Sequence, residues 1–299
     1  ELDRYAAELR ALGVASGELD LFNALNQVSD GGTLAFYDPD DARIRVRGTE
    51  MTVGLEVTLV HELTHALQDQ HFDLKRTRTL DGRNGAATAF RGLAEGDALR
   101  VEDDYIADEL TTVQQAEYDA EFAEELADSE VATAGVPDFV SATFAAPYAL
   151  GQPFTTMLLN VDGNAEVDAA FSDPPTTEEH LFDPVSFLAD EGEADDVDLG
   201  LDDEELFDEG SFGATSWYLV LAERIEPEVA FEATLGWGGD RFAAVERDGV
   251  TCVRAAFVGD TAEDEAQMTA ALEAWLEAMP GGEARLLEVD GHPVLDACD

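Results

Sequence analysis

The stretch that decides the fold is residues 57–72, VTLVHELTHALQDQHF. Its two histidines, His61 and His65, stand four positions apart, and residues at this spacing share one face of an α-helix. Both imidazoles can therefore reach a single ion. Glu62 falls on the adjoining edge, where its carboxylate can contact a water without being a ligand. Apolar residues flank the histidines, so the pattern predicts a partly buried helix that runs from a Thr52 cap to about residue 70.

Two nitrogen ligands and a neighbouring carboxylate form the arrangement that zinc peptidases use. A chance match on a surface helix is the alternative, but the chain has only five histidines and two of them are at this spacing. The stretch therefore predicts Zn²⁺ as cofactor and a polypeptide as substrate. In this interpretation His61 and His65 bind the metal, and Glu62 is the general base of peptide-bond hydrolysis.

A catalytic zinc site needs a third protein ligand, and the sequence offers two candidates. Glu95 lies 30 residues after His65 in a predicted helix at 86–110, as in gluzincins, and Gly96 beside it would let two helices approach closely. His71 is the alternative ligand, since metzincins place a third histidine six residues after the second. That pattern requires a glycine that breaks the helix, where this chain has Gln68. We therefore favour Glu95.

The charge balance is the second strong signal. Acids outnumber bases by 67 to 16, which gives a formal net charge of -51, yet 45% of the residues are hydrophobic. A disordered acidic segment would lack this apolar content. The composition favours a folded protein adapted to molar salt, where the screening length falls to about 3 Å and self-repulsion fades. So acidic a surface also argues against nucleic acid as a partner.

The segment 41–100, which surrounds the histidines, differs from the rest of the chain because it holds nine bases and nine acids. A site that admits an acidic polypeptide would gain from this local neutrality. Deeper burial of the segment would explain it equally well, and the sequence leaves both interpretations open.

The periodicities predict a mainly helical α+β fold in two regions. Residues 1–190 would form a zincin-like catalytic region, with a hairpin of strands at 33–37 and 43–47 that borders the cleft. Breaks are expected at Pro147-Tyr148 and at Gly151-Gln152-Pro153. Residues 191–209 are almost wholly acidic and predict a solvated linker.

Residues 210–299 predict a C-terminal α+β unit packed on the first region. Asp248-Gly249 and Asp290-Gly291 are strong signals for two hairpins, with a helix at 262–278 between them. Cys252 and Cys298 lie in strand-like segments of this unit and could form a disulfide, or remain two buried thiols. No apolar run reaches the length of a membrane span. The first residues carry no apolar signal-peptide stretch, so we expect a secreted form to be a trimmed one.

Several further polar residues are candidates for the reaction or its support. Oxyanion stabilisation needs a donor besides the metal, and His180, Tyr105 and Arg241 are the candidates. A lone histidine such as His180 is more often structural, and the glycine-rich turn before Arg241 favours a structural corner.

The run from Val60 to Phe72 resembles a family of secreted or surface zinc-dependent proteins of haloarchaea and some bacteria. The resemblance spans most of residues 33–299 and extends to Glu95-Gly96-Asp97-Ala98, Pro174-Pro175-Thr176-Thr177-Glu178 and Gly236-Trp237-Gly238-Gly239-Asp240-Arg241.

This resemblance implies a gluzincin-like α+β fold and a place outside the cell or at its surface. His61, His65 and Glu95 match the zinc ligands, and Glu62 matches the base. Better-known gluzincins have an aspartate four residues after the ligand glutamate, where this chain has Leu99. Asp97 is the nearest candidate for that supporting role. The alternative function is a non-catalytic surface protein, binding or structural, that zinc stabilises.

Overall fold

The computed structural model describes residues 2–30, 34–80, 85–201, 204–279 and 283–299. These residues form an α+β structure that is mostly helical, as the periodicities predict. The helices are α1 Leu2–Ala11, α2 Leu21–Asp30, α3 Val53–Phe72, α4 Ala86–Asp108, α5 Thr112–Ala132, α6 Asp138–Asp162, α7 Asn164–Ser172, α8 Glu179–Phe182, α9 Pro184–Leu188, α10 Ala214–Ala222, α11 Pro227–Thr234 and α12 Ala262–Glu277, with a 3₁₀ helix at Leu74–Thr79. The strands are β1 Ala35–Asp38, β2 Arg43–Val46, β3 Leu206–Gly210, β4 Trp237–Arg247, β5 Val250–Gly259, β6 Glu283–Val289 and β7 His292–Cys298.

The C-terminal strands form one antiparallel sheet in the order β3-β4-β5-β7-β6. Both predicted hairpins are confirmed, with α12 between them. In the turns, Asp248 has a φ of 53° and Gly249 one of 80°, the left-handed values that a type I′ turn requires. Cys252 and Cys298 face each other across β5 and β7 and form a disulfide.

The largest buried cluster lies under this sheet and includes three fully buried tryptophans, Trp217, Trp237 and Trp275. Helix α1 belongs to the same cluster through Ala6 and Leu9. The N-terminal helix therefore packs with the C-terminal sheet.

The predicted solvated linker at 191–209 is only partly solvated. Val197 and Leu199 alternate with acids and are 6% and 3% exposed, in a cluster with Ala243 and Ala256 of the sheet. From Leu206 the segment pairs with β4 as an edge strand. The prediction weighed the acids and missed the alternating apolar residues, which are the ones that the sheet buries.

Helices α3, α4 and α6 position the candidate site, and α4 and α6 cross at very short range. A Cβ added at Gly96 would lie 2.1 Å from the carbonyl oxygen of Gly151. The sequence predicted a close helix approach at Gly96, and this crossing confirms it. Glycine on both helices is what permits the approach, because any side chain there would overlap the opposing backbone.

The predicted breaks in α6 are wrong, since the helix continues through Pro147 and Pro153. A proline inside a helix costs about 3 kcal/mol because it removes a backbone hydrogen bond and crowds the preceding turn. Burial of Phe154 and Leu158 against α4 offsets this cost. In the described part of the chain, no helix is both long and apolar enough to cross a membrane.

Candidate metal centre

Three side chains converge between α3 and α4. The Nε2 atoms of His61 and His65 are 3.1 Å apart, and Oε2 of Glu95 lies 3.3 Å from the first and 3.1 Å from the second. His61 and Glu95 are buried and His65 is half-buried. Together they could hold a metal ion. The spacing on α3 and the close approach of α4 thus bring together the three residues that the sequence favoured.

Helix α3 is held at its start by local and distant partners. The Thr52 hydroxyl accepts the backbone N–H of Leu55 as an N-cap, and a carboxylate oxygen of Glu121 on α5 accepts that of Gly54 at 2.7 Å. Both contacts satisfy N–H groups that a helix start leaves without partners. The two histidines therefore project from a helix whose first turn is fixed.

The orientation of His65 is set by Gln68. The Gln68 amide nitrogen donates to the carbonyl of Ala94 at 3.0 Å and to Oδ2 of Asp97 at 2.9 Å. Its Oε1 therefore faces Nδ1 of His65, 2.9 Å away, and that nitrogen must carry the proton. The Nε2 of His65 then presents a lone pair to the cluster.

His61 is oriented by Glu102, two helical turns after Glu95 on α4. Its Nδ1 lies 3.1 Å from Oε2 of Glu102, whose other oxygen accepts the Tyr118 hydroxyl at 3.2 Å. A carboxylate can only accept from an imidazole, so Nδ1 carries the proton here too. This pairing of a ligand histidine with an outer carboxylate is common at metal sites.

Three electron-rich atoms therefore face one point, and without a cation between them they would repel each other. In the metal-free chain a proton serves this purpose. Burial lowers the pKa of His61, but the hydrogen bonds of Glu102 and Glu95 outweigh it and raise that pKa to about 10. Burial acts to raise the pKa of Glu95, but its bonds to the two histidines hold the pKa well below the ordinary value. A metal ion that binds must displace the proton.

Glu62 lies beside the cluster and outside the set of three. Its Oε2 accepts the backbone N–H of Tyr37 at 2.6 Å. Tyr37 belongs to β1, where it is opposite Ile44 of β2, so this N–H points away from the partner strand. Burial raises the pKa of Glu62, although His65, His61 and the Tyr37 N–H all oppose the shift. The side of β1 that faces away from β2 thus holds the Glu62 carboxylate in place.

Tyr148 of α6 completes the surroundings of the cluster. Its ring is stacked near that of His61, with centroids 6.4 Å apart and planes at 24°. Its hydroxyl interacts with both Glu95 and Arg91. Burial, followed by the charge of Glu95, raises the pKa of Tyr148 well above its ordinary value, so the hydroxyl stays protonated at neutral pH.

Four candidates from the sequence lie elsewhere. His71 is exposed near the end of α3 and is not among the convergent side chains, because the helix runs unbroken past Gln68 and turns it away. The three oxyanion candidates also have other partners: the Tyr105 hydroxyl donates to Glu56, Arg241 pairs with Glu209, and His180 contacts the carbonyl of Glu191.

Asp97 does support the cluster, although by another route than that of the gluzincin aspartate. It accepts Gln68, which holds His65, and it pairs with Arg100 at 2.8 Å. The supporting residue of His61 is Glu102.

Glu102, Gln68 and Tyr148 were missed by sequence reasoning. Glu102 had a usable signal, since its position seven residues after Glu95 places it on the same face of α4. Gln68 was considered only because it occupies the position where the metzincin pattern has a glycine. Tyr148 had no local signal, because α6 reaches the cluster only through its crossing with α4.

Comparisons with protein-family models, with curated proteins and with solved structures found no match to the chain.

Proposed function

We propose that the chain is a zinc metallopeptidase with a gluzincin-like, zincin-type fold that acts outside the cell or at its surface in molar salt. The observation that carries the proposal is the set His61, His65 and Glu95 with Glu62 held alongside. Three ligands from two adjacent helices and a base on the first helix are the parts that metal-assisted hydrolysis needs. A hairpin just before the ligand helix agrees with the same type of fold.

The donor set suits zinc. Tetrahedral coordination at about 2.0 Å places ligand atoms about 3.3 Å apart, and two imidazoles with one carboxylate are typical of catalytic zinc. The three observed separations are 3.1, 3.1 and 3.3 Å. Calcium and magnesium favour oxygen ligands, so a site with two imidazole nitrogens is a poor site for either ion. Zinc would supply Lewis-acid polarisation of a carbonyl and would lower the pKa of a water to about 7.

Different residues of the chain would then transfer protons and donate hydrogen bonds during the reaction. Glu62 takes a proton from the attacking water and passes it to the leaving nitrogen. The Tyr37 N–H holds Glu62 in place for both transfers. Tyr148 keeps its phenolic proton at neutral pH and is the candidate donor to the developing oxyanion, in place of the three candidates from the sequence.

Strand β1 would bind the substrate next to this machinery. It pairs with β2 along one side only, and its other side faces α3 and Glu62. An extended peptide could add through main-chain hydrogen bonds to the part of this edge that Glu62 does not occupy. This would place a scissile bond beside Glu62.

The first test is elemental analysis of protein kept in molar salt, for the wild type and for Glu95→Ala. We expect one zinc per chain in the wild type and its loss in the variant. Glu109→Ala is the matched control, because Glu109 is an exposed acid just after the same helix. Zinc retained by Glu95→Ala would contradict the ligand set.

The second test is Glu62→Gln. We expect it to keep zinc and to lose hydrolysis of a mixed peptide pool by about 100- to 10,000-fold, the usual contribution of a general base. Unimpaired turnover would contradict the mechanism. Zinc in the wild type, with a melting temperature that depends on it but no hydrolysis of any peptide, would instead support the non-catalytic surface protein.

A further inference from the structure

One arginine at the rim of the metal cluster has only a long contact with a carboxylate. Arg91 lies one turn before Glu95 on α4, and its Nε is 3.4 Å from Oε1 of Glu95. In contrast, Arg78 holds Asp40 with two contacts of 2.8 and 2.9 Å. Charged hydrogen bonds are normally 2.7–2.9 Å, so the Arg91 contact is weak.

The guanidinium of Arg91 is nevertheless held in place. Its central carbon lies 5.4 Å from the ring centre of Phe144 and 5.8 Å from that of Tyr148, both on α6. Stacking of a flat guanidinium on aromatic faces is favourable, and its five N–H groups exceed what Glu95 and the Tyr148 hydroxyl can accept. The Arg91 side chain is 40% exposed, so its guanidinium edge is accessible from solvent.

The weak contact has a chemical consequence. Glu95 turns Oε2 toward the histidines and offers Arg91 only the other oxygen. A cation in the cluster would neutralise much of the charge of Glu95 and weaken its attraction for Arg91 further.

We infer that Arg91 binds a carboxylate of the substrate beside the scissile bond, an inference that rests on the proposed peptidase function. The carboxylate would be an aspartate or glutamate side chain, or the C-terminus of a peptide. Two parallel N–H donors of a guanidinium match both oxygens of such a group. In molar salt, charges separated by more than about 3 Å are screened, so only a direct contact can select an anionic substrate.

The test measures binding, in the Glu62→Gln variant loaded with zinc, so that no peptide is consumed. One peptide sequence is used in three versions: with a free C-terminus, with a C-terminal amide, and with its internal glutamate changed to glutamine. Affinities are measured by calorimetry in molar salt. We expect the version that carries the recognised carboxylate to bind about tenfold tighter or more than its neutral counterpart. The pair that differs identifies which carboxylate is bound.

Adding Arg91→Gln should remove this preference while zinc content stays at one per chain. Arg91→Lys should keep only part of it, because an ammonium cannot make the two parallel contacts. Arg285→Gln is the matched control, since Arg285 is 63% exposed and lies on the C-terminal sheet. We expect no change in the preference there.

The outcomes separate the inference from the proposed function. Equal binding of all three peptides overturns the role of Arg91 and leaves the peptidase proposal standing. Loss of zinc in Arg91→Gln also overturns it, because Arg91 would then be a positioning residue for Glu95. Failure of every peptide to bind overturns both proposals.

Discussion

Two of the buried carboxylates of the chain, those of Asp240 and Glu95, are satisfied in opposite ways. Under the sheet, five donors converge on Asp240: the Ser211 hydroxyl, the backbone N–H groups of Phe212 and Gly213, and the indole N–H groups of Trp217 and Trp237. At the candidate metal centre, Glu95 instead meets two imidazole nitrogens, and the three atoms need a shared proton or a metal ion between them. The hydrogen bonds of the first site are complete within the protein, whereas the second site could hold a metal ion.

This difference separates structural acids from functional ones. The sequence indicates Glu95 through the glycine that follows it, but it does not set Asp240 apart among the 67 acids. Asp240 fixes the start of α10 and two tryptophans, and Glu178 supports the same helix start by accepting the Thr215 N–H at 2.8 Å. A buried acid surrounded by donors stabilises the fold, and one that meets two imidazole nitrogens could help to hold a metal ion.

The largest effect is expected from Asp240→Ala, which tests the structural side of the comparison. Removal of the carboxylate leaves buried N–H groups without acceptors, so we expect the free energy of unfolding to fall by about 3–5 kcal/mol. Urea unfolding at constant salt measures it. Glu209→Ala, at an exposed acid of the same sheet, should change stability by no more than about 0.5 kcal/mol. A wild-type midpoint for Asp240→Ala would contradict the comparison, as would loss of zinc from the folded variant.

The functional side is tested by Glu102→Ala. His61 would lose the acceptor of its Nδ1 proton, and we expect zinc to bind about 10- to 100-fold more weakly, the usual effect of losing an outer partner. Competition with a chelator measures the affinity. Asp108→Ala, an exposed acid on the same helix, is the matched control and should bind zinc as the wild type does. Unchanged affinity in Glu102→Ala would mean that helix packing alone orients His61.

A third buried acid, Glu179, lies between the two cases and sharpens the comparison. One of its oxygens is buried without a hydrogen-bond partner in the described chain, and no histidine cluster accompanies it. Burial, and then the charge of Asp260, raises its pKa from 4.5 to about 7. Protonation therefore neutralises the buried carboxylate of Glu179, whereas hydrogen-bond donors stabilise that of Asp240.

The smallest expected effect is the pH dependence that Glu179 causes. Between pH 4.5 and about 7 the folded chain holds this proton more tightly than the unfolded chain, so its contribution is complete below that window and is lost as the pH rises through it. Glu179→Gln should therefore be more stable than the wild type at high pH, by about 1–2 kcal/mol after solvent screening, and nearly equal to it near the lower limit.

Urea unfolding across the pH range measures this difference. Glu273→Gln, at an exposed acid of α12, is the matched control and should follow the wild type at every pH. A stability difference for Glu179→Gln that is constant with pH would show that titration of Glu179 is not its cause.

Much of the fold followed from local patterns. The two Asp-Gly hairpins, the Thr52 cap and the unbroken metal helix were all predictable, since each depends on a few neighbouring residues. The breaks in α6 and the solvated linker were wrong for one common reason. Pro147 by itself predicts a helix break, but α6 packs against α4 and stays helical. The acids around Val197 predict a solvated segment, but its apolar residues are buried against the sheet.

The candidate site divides in the same way. The sequence by itself determined that His61 and His65 share a face with Glu62 beside them, because helical periodicity alone fixes their spacing. It also indicated Glu95 through the glycine that follows it. Only the tertiary structure decided that Glu102 and Gln68 set the protons of the two imidazoles, that Tyr148 lies over the cluster and that Asp240 is structural. Those roles depend on contacts between side chains of different helices and strands. A local sequence pattern does not specify which distant side chains will be in contact.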